Sequence, residues 1–514
     1  MPGDSSEPPA RTPDPSTPQV PPTTAEVGGE VPEHHNPFLP EQRGIDRVPS
    51  ADRNMRPVNL FWLWAGAQFN VEYLVYGALI VSFGLSFLQA VAVVLVGNLS
   101  FLALGASSLG GPATGTTSMV IGRAAFGRRG NNVPTFFNWI TQEGYEVLGL
   151  VLVVLLTSSM FERAGVHVTT PLKVAILVVA VGIQFVLPFL GHDAIETTLR
   201  YLSYVFIPVF VVMAFLVVPH VNINSLHQHA SWALLTSALI VVISSGGFGW
   251  AENASDYSRY IPTDTPKGRV VAAATLGSMI PVVLLELLGA AAYTVSPAVT
   301  AVTGVPSSFA SWFFWPFVLL ALPQLFSIGT LDLYSAGVTL QALGANLKRT
   351  MTTVVNVLIA GVVTLLVLLD GNFFRSLSGF LNYTLIWLAP WFAIFFTDYL
   401  LRKSRYDAPA LLVHRGGRYW GKGGVNINGL VSLLVAMAAG LLWINASTYQ
   451  PPFIGPLSRA TGGSDLSWLV AIVVGAGLYF LLERKSIANE APTPLPSDPD
   501  RPTDTEAVPG PGSR

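Results

Sequence analysis

The sequence predicts an all-α polytopic membrane protein with 12 transmembrane helices. Two observations carry that prediction. Of 514 residues, 51% are hydrophobic and 11% charged, where a soluble domain carries about 25% charged residues. The apolar residues also fall in continuous runs of the length, about 20 residues, that one helix needs to cross a bilayer core. Because these runs are continuous rather than alternating, a β-barrel is excluded. A soluble chain this apolar could not keep its surface wet, which argues against a soluble enzyme. The formal net charge of −2 is too small for a nucleic-acid binder. Cysteine is absent, which removes disulfides, thiol catalysis and cysteine-ligated metal or iron–sulfur centres. The start shows no basic stretch followed by a short apolar run and a cleavage site, so no secretory signal is expected.

In chain order the spans fall near 58–83, 87–109, 133–160, 172–190, 200–218, 233–255, 271–295, 315–344, 352–369, 379–401, 426–446 and 466–483. The stretch 305–316, with Pro306 and Pro316, is too short to cross and reads as a surface or re-entrant helix. Residues 1–45 hold 11 of the 38 prolines and residues 486–514 another seven. Such segments bury too little apolar area to offset their ordering entropy, so both are expected to be disordered cytoplasmic tails flanking a membrane domain at 46–485.

Lysine and arginine set the expected orientation. With the N-terminus inside, 21 of them fall on inner loops, including Arg43 to Arg56, Arg123 to Arg129, Arg259 to Arg269 and Arg402 to Lys422. Only Arg163, Lys173, Arg375 and Arg459 fall outside. Cytoplasmic loops collect positive charge, so both termini are expected in the cytoplasm.

Several spans are too polar to face lipid. Span 1 places Gln68, Asn70 and Glu72 close together, span 3 places Gln142, Glu143 and Glu146 around Gly144, and span 7 contains Glu286. Span 6 reads SSGGFGWAENASDYSRYIP and span 8 reads LPQLFSIGTLDLYSAG. An ionisable group at membrane depth costs at least about 2.5–3.5 kcal/mol and therefore faces a cavity, a partner or a pathway. Gly246, Gly247 and Gly249 weaken span 6, each by up to about 1 kcal/mol. A broken helix is tolerated in a bilayer only beside protein or water. Its freed carbonyls can hold a cation, and its half-helix N-termini can hold an anionic or polar ligand. Small residues also permit tight helix packing. Spans 1 and 6 together, beside polar spans 3 and 8, point to transport.

At these residues the chain resembles the nucleobase:cation symporter family of the purine/cytosine permease type, which also contains a hydantoin transporter. The resemblance covers about residues 41–485. It rests on EQRGIDRVPSADR followed by LFWLW, on MVIGRAAFGRRGNNVP with Arg123, Phe126, Gly127 and Gly130, and most specifically on GWAENASDYSRYIP at 249–262. It implies a LeuT-type core of two inverted five-helix repeats, about 58–218 and 233–401, plus two extra helices at about 426–483. It implies that Asn70 offers a polar side chain to the substrate, and that Tyr145 and Trp250 stack on its ring. Gly149 stands where the family has an amide, and Asp332 stands where it has Asn. For sodium, the resemblance implies carbonyls of Gly66 and Phe69 and the hydroxyl of Ser327, but Ile328 replaces a frequent Thr.

Glu143, Glu146, Glu252 and Asp332 offer a different coupling ion, because a buried carboxylate can titrate near neutral pH. Protons are thus the expected coupling ion. The alternative is that Asp332 stays ionised as a direct ligand for sodium or for a cationic substrate. Glu252 and Asn253 are read as pathway-lining. Each of Asn70, Tyr145, Trp250 and Asp332 has a plain packing or interhelical role as its alternative. Asp256 and Arg259 read as a solvated pair with a structural role, and His192, His220, His227 and His229 as solvent-facing loop residues.

The expected function is a secondary transporter in the cell membrane that imports a nucleobase-like heterocycle, such as cytosine or a purine, with a cation. The alternatives are a sodium-coupled carrier of a hydantoin, allantoin or vitamin precursor, and a membrane-embedded enzyme. No HExxH, paired-Asp motif or clustered intramembrane His supports the enzyme, and no P-loop supports ATP-driven transport by this chain alone. No cofactor and no nucleic-acid partner are expected, and the sequence leaves the oligomeric state open.

Overall fold

The computed structural model describes residues 39–222, 230–370, 373–447 and 452–490. The tails at 1–38 and 491–514, His227 and His229 lie outside them, as does the side chain of Arg375. Among the described residues, 10 helices are long and apolar enough to cross a membrane. Two of the expected spans are not in that number. Span 1 is split into Pro57–Gln68 and Val71–Ser82, each of 12 residues. The eleventh apolar segment is a helix of 15 residues, Ile427–Leu441, shorter than the roughly 20 a bilayer core requires. The stretch between spans 7 and 8 forms only short helical turns, Pro297–Thr300, Gly304–Ser307 and Ser311–Phe313.

The helices that frame the centre are the polar ones. Span 3, Asn132–Arg163, packs along span 8, Phe314–Ala342. Span 7, Lys267–Val295, packs on both halves of span 1. That crossing is close because a Cβ on Gly77 would enter the backbone of Glu286, and one on Gly289 would enter that of Leu74. Small residues let two backbones meet without an intervening side chain. Spans 4 and 9, Thr170–Leu190 and Arg349–Asp370, instead turn Val178, Val179, Ile183, Leu358, Val362 and Leu366 outward, an apolar face suited to lipid. The two last helices, Ile427–Leu441 and Ser467–Ala488, pack on each other and on span 10.

Residues 39–45, expected to close the amino-terminal tail, pack against the helix ends. Glu41 is buried there. Its Oε1 accepts from the hydroxyls of Tyr260 at 2.6 Å and Tyr334 at 3.1 Å, and from Arg259 Nη2 at 3.4 Å. Its Oε2 accepts from the backbone N–H of His192 at 2.9 Å and lies 3.7 Å from Arg349 Nε. This corrects two expectations. His192 is buried, its ring stacked on Tyr260 with centroids 4.0 Å apart. Arg259 and Asp256 are buried too, and each is engaged elsewhere: Asp256 accepts from the backbone N–H of Ser118 at 2.9 Å. A solvated pair was expected because the sequence hides residue 41, the anion that draws Arg259 inward. His220 is exposed, as expected.

Burial alone would raise the Glu41 carboxyl, yet Arg349, Arg259 and the Tyr260 hydroxyl hold it below the ordinary carboxylate range. A carboxyl held low in the folded state contributes stability above its unfolded pKa, and that contribution is lost as pH falls through the folded value. Glu41→Gln leaves two buried guanidiniums without their carboxylate, a change that costs about 3–5 kcal/mol when a buried pair is broken. The expected outcome is a lower melting temperature for the purified variant at neutral pH, with the gap to the parent narrowing on acidification. Equal melting at neutral pH would show that the cluster adds nothing to stability.

Candidate functional site

The site is organised by two interrupted helices. Span 1 leaves helical geometry at Phe69 (φ −72°, ψ 73°) and Asn70 (φ −131°, ψ 140°). The Asn70 N–H turns to the Gln68 carbonyl at 2.8 Å, so the Gly66 carbonyl lacks the partner that a continued helix would supply. The Asn70 side chain then restarts the span. Its Oδ1 accepts from the Glu72 N–H at 2.9 Å, an N-cap, and its Nδ2 donates to the Gln324 carbonyl of span 8 at 2.8 Å. Asn70 is thus fully buried and holds the break to span 8.

Span 6 stops at Ser245, passes through Gly246 (φ −96°, ψ −125°) and resumes as Gly247–Ala251 and Ala254–Ser258. A Cβ on Gly247 would enter the backbone of Ser100 and Phe101, so glycine is needed for span 2 to approach. At that contact Ser100 Oγ accepts from the Gly247 N–H at 3.1 Å. Span 2 itself passes through a 3-10 turn at Asn98–Ser100, a deviation its apolar sequence does not announce.

Two aromatic residues bracket the second break. The Tyr145 hydroxyl donates to the Ser244 carbonyl at 2.8 Å and lies 3.0 Å from the place a Cβ on Gly249 would take. Trp250 donates through Nε1 to the Tyr73 hydroxyl at 3.3 Å and meets Trp64 edge-on at 5.6 Å. Tyr145 is half-buried, and its ring meets Phe380 edge-on at 5.0 Å. Among the described residues the rings of Tyr145 and Trp250 make no contact with each other.

Carboxylates gather beside these rings. Glu72 and Glu143 lie within electrostatic range of Asp332, and all three within range of Glu146. Glu252 lies within range of Asp332. All five are buried. Glu252 Oε1 accepts from Gln142 Nε2 at 3.0 Å, and Glu146 Oε2 from Gln184 Nε2 at 3.3 Å. A Cβ on Gly329 would meet the Glu146 carboxylate and the Gln184 amide, so a larger residue there would displace these two side chains. Asn253 Oδ1 accepts from Asn138 at 3.2 Å. No Lys or Arg forms an ion pair with any of these five acids among the described residues.

Glu72 stands in the site although it was not among the expected site residues. Its Oε1 stands 3.7 Å from the Cβ position of Gly149, so an acid from span 1 fronts the spot where an amide of span 3 was missing. The signal was present in AQFNVE, where a carboxylate follows the break by two residues. Ser327 Oγ donates to the Pro323 carbonyl at 2.7 Å, one turn from the Gln324 carbonyl that Asn70 holds. Glu286 stands apart from the five and accepts from Asn98 Nδ2 at 2.6 Å.

Comparison with known proteins agrees with this architecture. YxlA of Bacillus subtilis, named among the purine-cytosine permeases, is 27% identical over 462 residues, covering 88% of this chain and 97% of the relative. The purine-cytosine permease fcyB of Emericella nidulans is 25% identical, covering 86% and 88%. The fold is shared with Mhp1, a nucleobase-cation-symport-1 family transporter solved closed with bromovinylhydantoin bound. The TM-score is 0.69 at 18% identity, covering 90% of this chain and 98% of that one. The family of permeases for cytosine/purines, uracil, thiamine and allantoin matches residues 47–471. With most of its length so matched, this chain belongs to that family and is a multi-pass membrane transporter, not an enzyme.

Proposed function

We propose that the protein imports a nucleobase-like heterocycle across the cell membrane together with a proton. One observation carries this reading: two broken spans bring aromatic rings and five buried carboxylates into one neighbourhood. Freed backbone and buried acids are what a carrier of a polar solute and a cation needs. In this reading spans 1–5 (about 58–218) and 6–10 (about 233–401) are the two inverted repeats, with the remaining helices at about 426–483 accessory. The arginine-rich loops and both termini are cytoplasmic. The ring lies beside Trp250 and Tyr145, with Asp332, Glu72, Glu146 and Asn253 available to its edge and Gly149 leaving room for it. Asn70 acts mainly by holding the break open.

The proton reading follows from the number of acids. Like charges gathered in one buried neighbourhood disfavour joint ionisation, so a carboxyl there can carry a proton. Asp332 is the proposed carrier, with Glu252 beside it. A specific observation favours a second reading. The Gly66 carbonyl, released by the turn of Asn70, lies in the segment that is tied to the turn of span 8 preceding Ser327. A sodium ion there, with Phe69 contributing, would couple a hydantoin, allantoin or vitamin precursor.

Imposed gradients in proteoliposomes separate the two. An inward proton gradient without sodium is expected to drive accumulation of the labelled heterocycle, and Asp332→Asn to keep counterflow while losing that accumulation. Uptake that needs sodium and ignores the pH gradient would overturn the proton reading in favour of sodium. Aromatic stacking contributes about 0.5–1.5 kcal/mol per pair beyond area burial. Trp250→Ala removes both terms and is expected to weaken uptake by about tenfold or more while the protein stays in the membrane. Unchanged affinity would make Trp250 a packing residue.

A further inference from the structure

We infer that the transported ring is positively charged and presents adjacent N–H donors, as an amidinium-type N–C–N edge does, to a wall of carboxylates. The inference rests on the proposal that the two breaks hold the substrate, and it names the substrate's chemistry.

The wall is biased toward acceptors. Glu72 Oε1, both oxygens of Glu143, Asp332 Oδ1 and Glu252 Oε2 are buried without a hydrogen-bond partner among the described residues. Glu72 is 6% exposed, Glu143 7% and Asp332 2%, so water does not solvate them freely. The amide of Gln142 adds to the bias. Its nitrogen donates both to Glu252 Oε1 at 3.0 Å and to Asn138 Oδ1 at 3.4 Å, which fixes its orientation and leaves its own oxygen unpartnered. Unpartnered donors are fewer: Asn253 Nδ2, Trp64 Nε1 beside Trp250, and the amide nitrogens of Gln68 and Gln324, and each of those two glutamines brings an unpartnered oxygen as well.

Such a wall discriminates between rings of one shape. A dioxo ring can take only neutral hydrogen bonds from this wall, and only from carboxyls that hold a proton. An amidinium edge offers two parallel N–H groups to a carboxylate, and charge-assisted bonds of that kind are roughly twice as strong as neutral ones. A buried carboxyl without a counter-charge takes up a proton, so a cationic edge is what keeps the carboxylates it faces ionised. A cation also suits the aromatic faces of Tyr145 and Trp250.

Binding to the purified full-length protein tests this with three probes near neutral pH. Diaminopyrimidine is partly protonated there and has amino groups where uracil has oxygens. Uracil is the neutral ring of the same shape, and agmatine is a cation with no ring. Diaminopyrimidine is expected to bind at least about tenfold tighter than uracil, a gap the size of one charge-assisted hydrogen bond. Asp332→Asn is expected to shrink that gap; Glu143→Gln supplies the same readout where the first variant does not fold. Uracil binding as well as diaminopyrimidine overturns the inference and leaves the heterocycle reading standing. Agmatine binding while neither ring binds supports a cationic substrate and overturns the heterocycle. If none of the three binds, the inference is overturned.

Discussion

A helix that is interrupted inside a bilayer leaves N–H and C=O groups that lipid cannot satisfy, and this constraint organises the centre of the molecule. Both interruptions are met by side chains, at span 1 by its own and at span 6 by those of other spans. Asn70 caps the second half of span 1 and ties it to the Gln324 carbonyl of span 8. Ser100 of span 2 accepts from Gly247, Tyr145 of span 3 donates to Ser244, and Tyr73 of span 1 donates to Ser245 at 3.4 Å. The breaks therefore exist only as part of a bundle in which spans 1, 2, 3, 6 and 8 already touch. Their position, in turn, decides where polar groups can be kept out of lipid, and the carboxylates lie there.

The same network explains why aromatic and acidic groups share one neighbourhood. Tyr145 reaches the carbonyl of Ser244 only because Gly249 leaves space beside its hydroxyl. Trp250 is held by Tyr73, which follows Glu72 on the restarted half of span 1. Glu72 in turn fronts Gly149, where span 3 has no side chain to compete. Backbone interruption, ring placement and charge thus depend on a few small residues at close approaches. At the other end of the bundle the pattern differs: Glu41 faces Arg259 and Arg349, so its charge is compensated by protein. The central acids have no such compensation among the described residues, which is why they are read as binding and coupling groups and Glu41 as structural.

Much of this was legible in the sequence, because hydrophobic run length and glycine content act locally. The split of span 1 followed from AGAQFN and that of span 6 from SSGGFG. Asp332 and Glu252 were legible as acids inside apolar runs. What was not legible depended on tertiary partners. Asn70 has both its donor and its acceptor engaged by the protein itself, because Gln324, 254 positions away, presents its carbonyl. His192 and Arg259 looked like loop and helix-end groups facing water until Glu41 came between them. Ten of the twelve expected spans are long and apolar enough to cross a membrane among the described residues, and span 1, broken into halves of 12 residues, has the composition of a crossing helix without its continuity.

The central claim is that the two breaks and the carboxylates beside them form the substrate site. The measurement that tests it most directly is an experimentally determined structure of the protein with its transported solute bound. The account predicts the solute against Trp250 and Tyr145, within hydrogen-bonding distance of Asp332 or Glu72. A transported solute bound elsewhere in the bundle, with both interruptions packed against protein alone, would contradict it.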